Sequence, residues 1–129
     1  MKALTIKEPW ASLIINGHKE YEFRSWKTNY RGKILIHAGL SKDKNNIKRF
    51  KDYNLDYGQG EIIGEATITD CIKVDEKFIK DLQKQEPNVY KTSGFNEKYA
   101  FKLENVKKYK KRIPCKGKLS IWNYEEKSI

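Results

Sequence analysis

The sequence has 129 residues, enough for one domain with its own hydrophobic core and too few for two ordinary domains. Lysine and arginine number 27 against 17 acidic residues, so the net charge is +10 and the sequence pI is about 9.5. A chain this basic attracts polyanions, nucleic acid first and an anionic membrane surface second. Its longest apolar runs fall far short of the ~20 residues that span a bilayer, which argues against a membrane helix.

The N-terminus and the cysteines favour a cytoplasmic protein. The first ten residues, MKALTIKEPW, include no apolar segment of signal-peptide length. Cys71 and Cys115 are far apart and form no CxxC or metal-binding spacing. Such a pair is typical of reduced thiols in the cytoplasm, although the sequence alone leaves a disulfide open.

The predicted elements alternate between short strands and short helices. The strand predictions depend on alternating or β-branched apolar residues and cover 3–6, 33–38, 61–74, 98–106 and 117–124. The helix predictions depend on apolar spacings of three and four residues and cover about two turns between Pro9 and Gly17, part of 41–54, and 75–85. Five or six strands with two or three peripheral helices predict an α+β domain over 1–129, most economically a partly closed β-barrel.

The segment GHKEYEFR (17–24) combines strand alternation with an unusual number of charges. Period-two alternation places Glu22 and Arg24 on one face and the aromatic residues on the other. Gly17 ends the preceding helix, so Lys19 is expected to project from the corner between helix and strand. Read alone, the segment is most simply a surface strand whose charge pair adds little stability.

The next segment, SWKTNYRGK (25–33), interleaves aromatic residues with cations. Its charged members are Lys27, Arg31 and Lys33. Single-stranded nucleic acid needs this combination, because bases stack on aromatic rings at ~1–3 kcal/mol each and cations follow the phosphates. We therefore expect Trp26 to contact a ligand. Trp10, beside Pro9, could face the core or the same cleft, and we favour the core.

Glu65 lies in the middle of the apolar strand 61–74. A carboxylate buried there needs a partner, because an isolated buried charge is unfavourable, and Lys19, Arg24 or a ligand would serve. A buried lysine–glutamate pair titrates as one unit, and a lysine with a lowered pKa acts as a base or nucleophile. The alternative is an edge strand on which Glu65 lies in water.

The segment 105–118 contains seven basic residues and no acidic one. Its candidate contacts to a nucleic-acid backbone are Lys107, Lys108, Lys110, Lys111 and Arg112. Contacts of that kind are salt-sensitive and independent of base sequence. The alternative is a solvated loop before the last strand.

The sequence predicts no metal or cofactor. His18 and His37 belong to no HxxxH, HExxH or Cys/His cluster, and the chain has no glycine-rich phosphate loop and no GxSxG. These patterns argue against metal-dependent hydrolysis, NTP hydrolysis and serine-triad chemistry.

The order LTIKEPWASLIINGHKEYEFRSWKTNYRGKILIHA resembles the ASCH domain, a branch of the PUA-like β-barrel superfamily. The family's G-x-K-x-x-E-x-R motif is met by Gly17, Lys19, Glu22 and Arg24, between a PWAxLI helix and RGxxLIHA. The ending YAFKLENV…IPCKGKLSIWNY is also similar, so the resemblance covers residues 2 to 124.

The resemblance implies a PUA-like barrel with a cleft beside the first helix, lined by the motif, and binding of RNA or other nucleic acid. One similar branch comprises small amidohydrolases that deacetylate N4-acetylcytidine with a lysine, a threonine and a glutamate. Lys19 matches the lysine and Glu65 the glutamate, whereas Glu22 stands where those enzymes have threonine. A carboxylate cannot donate as a hydroxyl does, and this departure favours binding over turnover.

Three hypotheses follow. The first is a nucleic-acid-binding domain whose cleft takes a nucleotide or a modified-nucleoside-like ligand through Gly17, Lys19, Glu22, Arg24, Trp26, Arg31 and Glu65. The second is an enzyme without metal or cofactor: an amidohydrolase with Lys19 and Glu65, and Glu22 beside them, or a ribonuclease with Lys19 and Arg24 on the phosphate. The third is an adapter in which these side chains point apart into solvent.

Overall fold

The computed structural model of the protein describes residues 1–93 and 96–126. Its strands are β1 (Lys2–Glu8), β2 (Tyr21–Arg24), β3 (Gly32–Lys42), β4 (Glu61–Lys73), β5 (Tyr99–Pro114) and β6 (Ile121–Asn123). Its α-helices are α1 (Trp10–Ile15), α2 (Lys44–Arg49), α3 (Glu76–Gln85) and α4 (Pro87–Tyr90), with a 3₁₀ turn at Lys51–Tyr53. The prediction of an α+β fold of the PUA-like type is confirmed.

The six strands form one mixed sheet in the order β2-β5-β4-β3-β1-β6. β1 and β3 pair in parallel, and the other neighbours are antiparallel. The sheet is not closed into a barrel, so β2 and β6 are its two end strands. Among the described helices, none is long and apolar enough to cross a membrane.

Helix α1 packs against one face of the sheet and fixes the start of the motif. Its residues Ala11–Ile15 are all buried. Glu8, fully buried just before the helix, accepts hydrogen bonds from Ser12 N at 2.8 Å, Ser12 Oγ at 2.6 Å and Gly58 N at 2.7 Å. A buried carboxylate is tolerable only with partners of this kind, and here they join α1 to the loop before β4.

The main core lies between α1 and the sheet. Its fully buried members include Leu4, Ile6, Ile14, Ile34, Ile36, Ile68 and Phe101. A smaller cluster of Ala3, Leu35, Ile62 and Trp122 packs together apart from it. Because Leu35 alternates with Ile34 and Ile36 along β3, this smaller cluster lies on the sheet face opposite α1.

Strand β5 is longer than the sequence indicates. It continues through Pro114, so most of the basic run lies on a strand and not in the loop expected from its polarity. Asn105, at a φ of 52°, and register shifts against β4 accompany this extension. Conversely, the last strand is confined to Ile121–Asn123 within the predicted 117–124.

Replacing Gly64 with alanine is expected to destabilise the fold. A Cβ at Gly64 would collide with Lys107 O and stand 2.7 Å from Ile15 Cδ1, so β5 or α1 would have to move. Overpacking of this kind costs about 1–3 kcal/mol, to be measured as the free energy of unfolding in urea. The matched control is Thr69→Ala on the exposed end of the same strand, which is expected to change stability by less than about 0.5 kcal/mol. Equal losses in both variants would contradict the close approach.

Candidate functional site

Lys19 and Glu22 of the G-x-K-x-x-E-x-R motif form a buried ion pair. Only 4% of Lys19 and 8% of Glu22 are exposed, and Lys19 Nζ lies 3.2 Å from Glu22 Oε1. Lys19 Nζ also donates to the carbonyl of Tyr21. Gly17, at a φ of 81°, turns the chain after α1, and His18 N then donates to Leu13 O at 2.9 Å. That turn directs the Lys19 side chain inward.

Arg24 completes the cluster from the end of β2. Its Nε and Nη2 donate to Glu22 Oε2 at 3.1 and 2.9 Å, and Nη2 also donates to Thr5 O at 2.8 Å. Thr5 lies on β1, one residue beyond the last residue that pairs with β6. The Arg24 side chain therefore joins the end strand β2 to β1 across the opening of the sheet.

Burial sets the protonation behaviour of Lys19. Loss of solvent lowers the pKa of its ammonium, whereas the charge and hydrogen bond of Glu22 and the charge of Glu97 act in the opposite direction. The ammonium lies 5.7 Å from the centre of the Trp10 ring and 5.3 Å from that of Phe23. Lys19 is thus enclosed by two aromatic rings and its carboxylate partner.

A cleft of about 300 Å³ opens beside this cluster. Its walls are Trp10, Lys19, Glu22, Phe23, Asp43, Asn46, Thr92, Ser93 and Glu97. Asp43 is engaged in capping α2, accepting from Asn46 N at 3.2 Å. Glu97 is a second carboxylate near Lys19 that the sequence interpretation missed, because it lies in an irregular segment before β5 and belongs to no motif.

The two tryptophans are placed the other way round from the expectation. Trp10, assigned to the core from its apolar surroundings, is half-buried and lines the cleft. Trp26, expected to contact a ligand, packs edge-to-face on Phe101 at 5.1 Å and is not among the cleft residues. The polar sequence around Trp26 conceals this packing because Phe101 comes from a distant strand.

Glu65 lies apart from the motif, and its partners are Tyr109 and Lys33. Tyr109 Oη donates to Glu65 Oε1 at 2.8 Å, and Lys33 Nζ is 3.2 Å from Oε2. Glu65 pairs with Leu35 across the sheet, which puts it on the face opposite α1. The hydrogen bond from Tyr109 lowers the pKa of Glu65 although partial burial opposes it, and the same contact helps raise the pKa of Tyr109 to about 12, mainly through burial. Of the partners considered for Glu65, neither Lys19 nor Arg24 contacts it, and it lies outside the motif cleft.

The basic candidates differ in how firmly they are held. Arg112 is bound to Glu61 Oε1 and to Tyr57 O, both at 3.1 Å, and therefore fixes the loop before β4. Arg31 donates to Thr28 O and Tyr30 O at 3.0 Å. The remaining candidates are exposed lysines: Lys27, Lys33, Lys107, Lys108, Lys110 and Lys111. Among the described residues, neither Lys110 nor Lys111 has an ion-pair partner.

The two histidines have structural contacts. His18 packs edge-to-face on Tyr53 at 4.9 Å. His37, 1% exposed, lies between Thr5 Oγ1 at 3.2 Å and Cys115 O at 2.8 Å. Within residues 1–93 and 96–126, no group of three or more His, Cys, Asp or Glu side chains is arranged to hold a metal ion.

A family model for the ASCH domain matches residues 4–121. The chain therefore belongs to the ASCH domain family, a PUA-like family of RNA-binding domains. It is 29% identical over 136 residues to human and to mouse activating signal cointegrator 1. Those matches cover 96% of this chain but 22% of each relative, so the chain spans about a fifth of the curated relatives' length.

The crystal structure of ASCH from Zymomonas mobilis has the same fold. It is 17% identical to this chain, with a TM-score of 0.55, and the match covers 88% of this chain and 72% of that one.

Removing Glu22 is expected to destabilise the domain more than removing Lys19. Glu22→Leu leaves two buried or half-buried cations without their carboxylate, a change that costs about 3–5 kcal/mol, whereas Lys19→Met leaves Glu22 paired with Arg24. The free energies of unfolding in urea at neutral pH test this order. Glu20→Leu, at an exposed position two residues away, is the matched control. A loss in Glu22→Leu no larger than in that control would contradict a stabilising role for the contacts of Glu22 with Lys19 and Arg24.

Proposed function

We propose that this chain is an RNA-binding domain that holds one nucleobase or nucleoside-like group in the motif cleft. The observation that carries the proposal is the arrangement of Trp10, Lys19 and Glu97 around one small cleft. An aromatic wall beside one donor and one acceptor is the combination with which proteins recognise an unstacked base.

The size of the cleft supports a single base. Its volume of about 300 Å³ lies at the lower end of the range for small-ligand sites, roughly 300–1,000 Å³. Glu22 binds a cation at each of its oxygens. We therefore assign Glu22 and Arg24 to positioning, and we assign the polar contacts with the base to Lys19 and Glu97.

The charge of the cleft favours a base over a phosphate. Among the described residues, its lining includes the carboxylates Glu22, Asp43 and Glu97 and the cation Lys19, and the Arg49 guanidinium lies 5.9 Å from the centre of the Trp10 ring. A phosphate there would face more negative than positive charge, whereas the amino group of a base would find an acceptor in Glu97. The phosphates of a bound strand would then lie outside the cleft, where the exposed lysines of β5 supply sequence-independent attraction.

The alternative is the amidohydrolase of N4-acylated cytosine nucleosides. Its support is the buried Lys19, whose pKa is lowered mainly by desolvation, together with Glu97 at the same cleft. Glu65 is on the opposite face of the sheet, so the catalytic pair would be Lys19 with Glu97. Incubation with N4-acetylcytidine tests this alternative: turnover that disappears in Lys19→Met would establish the enzyme.

A ribonuclease that uses Arg24 on phosphate is disfavoured, because Glu22 and Thr5 O already accept hydrogen bonds from that guanidinium.

Replacing Trp10 is expected to weaken RNA binding. Loss of one base–aromatic contact costs about 1–3 kcal/mol, so Trp10→Ala should raise the Kd for a short single-stranded RNA about 5- to 150-fold. Fluorescence anisotropy with a labelled oligonucleotide measures the effect, and Trp10→Phe, which keeps a ring, should retain most of the affinity. An unchanged Kd for this RNA in a folded Trp10→Ala variant would contradict the proposal that the cleft holds a base.

Neutralising two free lysines of β5 is expected to reduce the salt dependence of binding. Each phosphate contact to a single strand contributes about 0.7 to the slope of log K against log salt, so Lys110→Ala with Lys111→Ala should lower the slope by about 1.4. The matched control is Lys77→Ala with Lys84→Ala, two exposed lysines of α3. Equal slopes in the two double variants would remove β5 from the interface.

A further inference from the structure

A second cavity, larger than the motif cleft, lies between β1, the second half of β3, the loop before β4 and the loop that follows β5. Its volume is about 720 Å³. The residues that matter for its chemistry are Thr5, His37, Leu40, Lys116, Gly117 and Lys118. None of the residues assigned above to the motif cleft lines it.

A chain of hydrogen bonds holds the wall of this cavity in one geometry. Cys115 O can only accept, so His37 Nε2 carries the proton and donates to it at 2.8 Å. His37 Nδ1 then accepts from the Thr5 hydroxyl at 3.2 Å, and Thr5 Oγ1 accepts from Trp122 Nε1 at 3.0 Å. The loop that begins at Cys115 is thereby fixed to β1, β3 and β6.

Gly117 brings this loop into direct contact with the chain of hydrogen bonds. A Cβ at that position would stand 2.5 Å from Thr5 Oγ1 and 2.9 Å from His37 Nδ1. Only glycine permits this approach, and it carries the flanking Lys116 and Lys118 to the rim of the cavity. Both lysines are exposed.

The lining of the cavity combines positive charge with exposed apolar surface. All of its lining residues fall within the described part of the chain, and they include Lys116 and Lys118 but no carboxylate. Leu40 is 73% exposed and Leu119 is 92% exposed. Leucines that project so far into water at the rim of a cavity are typical of a surface that a ligand covers. The motif cleft, with three carboxylates, has the opposite character.

We propose that this second cavity binds a nucleoside monophosphate, with Lys116 and Lys118 on the phosphate and Leu40 and Leu119 against the base. The volume exceeds what an inorganic anion fills and suits a base, a ribose and one phosphate together. Within this cavity the two lysines face no carboxylate, which favours a phosphate group; Glu125 and Glu126 line a neighbouring cavity that the same lysines border. The two leucines supply the apolar contact that a flat base requires. This site is separate from the proposed base-binding cleft and does not depend on it.

The test is a titration of the ¹⁵N-labelled full chain with adenosine monophosphate, adenosine and inorganic phosphate. We expect amide shifts to concentrate at Thr5, His37 and Gly117, and the monophosphate to bind at least tenfold more tightly than adenosine or phosphate alone. Equal affinities for adenosine and its monophosphate, or shifts confined to the Trp10 cleft, would overturn the proposal.

Charge reversal supplies the second arm. Lys116→Glu with Lys118→Glu is expected to weaken monophosphate binding at least tenfold, and because both side chains are exposed the fold should survive. The matched control, Lys77→Glu with Lys84→Glu, changes the net charge equally on α3 and should alter the Kd less than threefold. Equal weakening of monophosphate binding in the two double variants would show an effect of net charge alone and would contradict the proposed site.

A third arm separates this proposal from the proposed function. Lys19→Met removes the donor of the motif cleft and should weaken RNA binding while leaving monophosphate binding at the second cavity intact. Loss of RNA binding with retention of monophosphate binding supports both sites. Loss of monophosphate binding in Lys19→Met would place that ligand in the motif cleft and contradict the second site.

Discussion

The arrangement of the motif depends on the two ion pairs of Glu22. Its two oxygens bind Lys19 and Arg24, and Arg24 in turn reaches the carbonyl of Thr5 on β1. One carboxylate therefore fixes the side chain that faces the cleft and the link between the end strand β2 and the far side of an open sheet. A threonine in its place would not neutralise both cations, so the carboxylate suits a motif with a supporting role.

The two cavities divide the chemistry that a nucleotide presents. The motif cleft has an aromatic wall and an excess of carboxylates, of which Glu97 is the proposed acceptor for the amino group of a base. The second cavity has two lysines and exposed leucines, which suit a phosphate with an attached flat group. Thr5 contacts residues of both sites: its carbonyl accepts a hydrogen bond from Arg24, and its hydroxyl is hydrogen-bonded to His37. The net charge of +10 is therefore distributed unevenly over the molecule.

The local parts of this arrangement could be predicted from the sequence, and the long-range parts could not. Strand alternation placed Glu22 and Arg24 on one face, and the turn at Gly17 placed Lys19 at the corner before β2, but neither pattern predicted that Lys19 and Glu22 are buried. Glu65 was misassigned because its partner, Tyr109, comes from a strand whose register against β4 shifts at bulges that no local pattern reveals. Glu97 was not predicted as a cleft residue because it lies in an irregular segment, where no periodic pattern assigns a side chain to a face. Trp26 looked exposed because its neighbours in sequence are polar.

The lysines of β5 also oppose association of the domain with a second copy of itself. β2 pairs only with Tyr99–Lys102, so within the described residues the later part of β5 has one backbone edge without a strand beside it. An unpaired edge is a template for association with a second copy, and a row of lysines makes that approach repulsive. Neutralising those charges with apolar substitutions would favour intermolecular pairing along β5. The lysines proposed to attract RNA would therefore also oppose self-association.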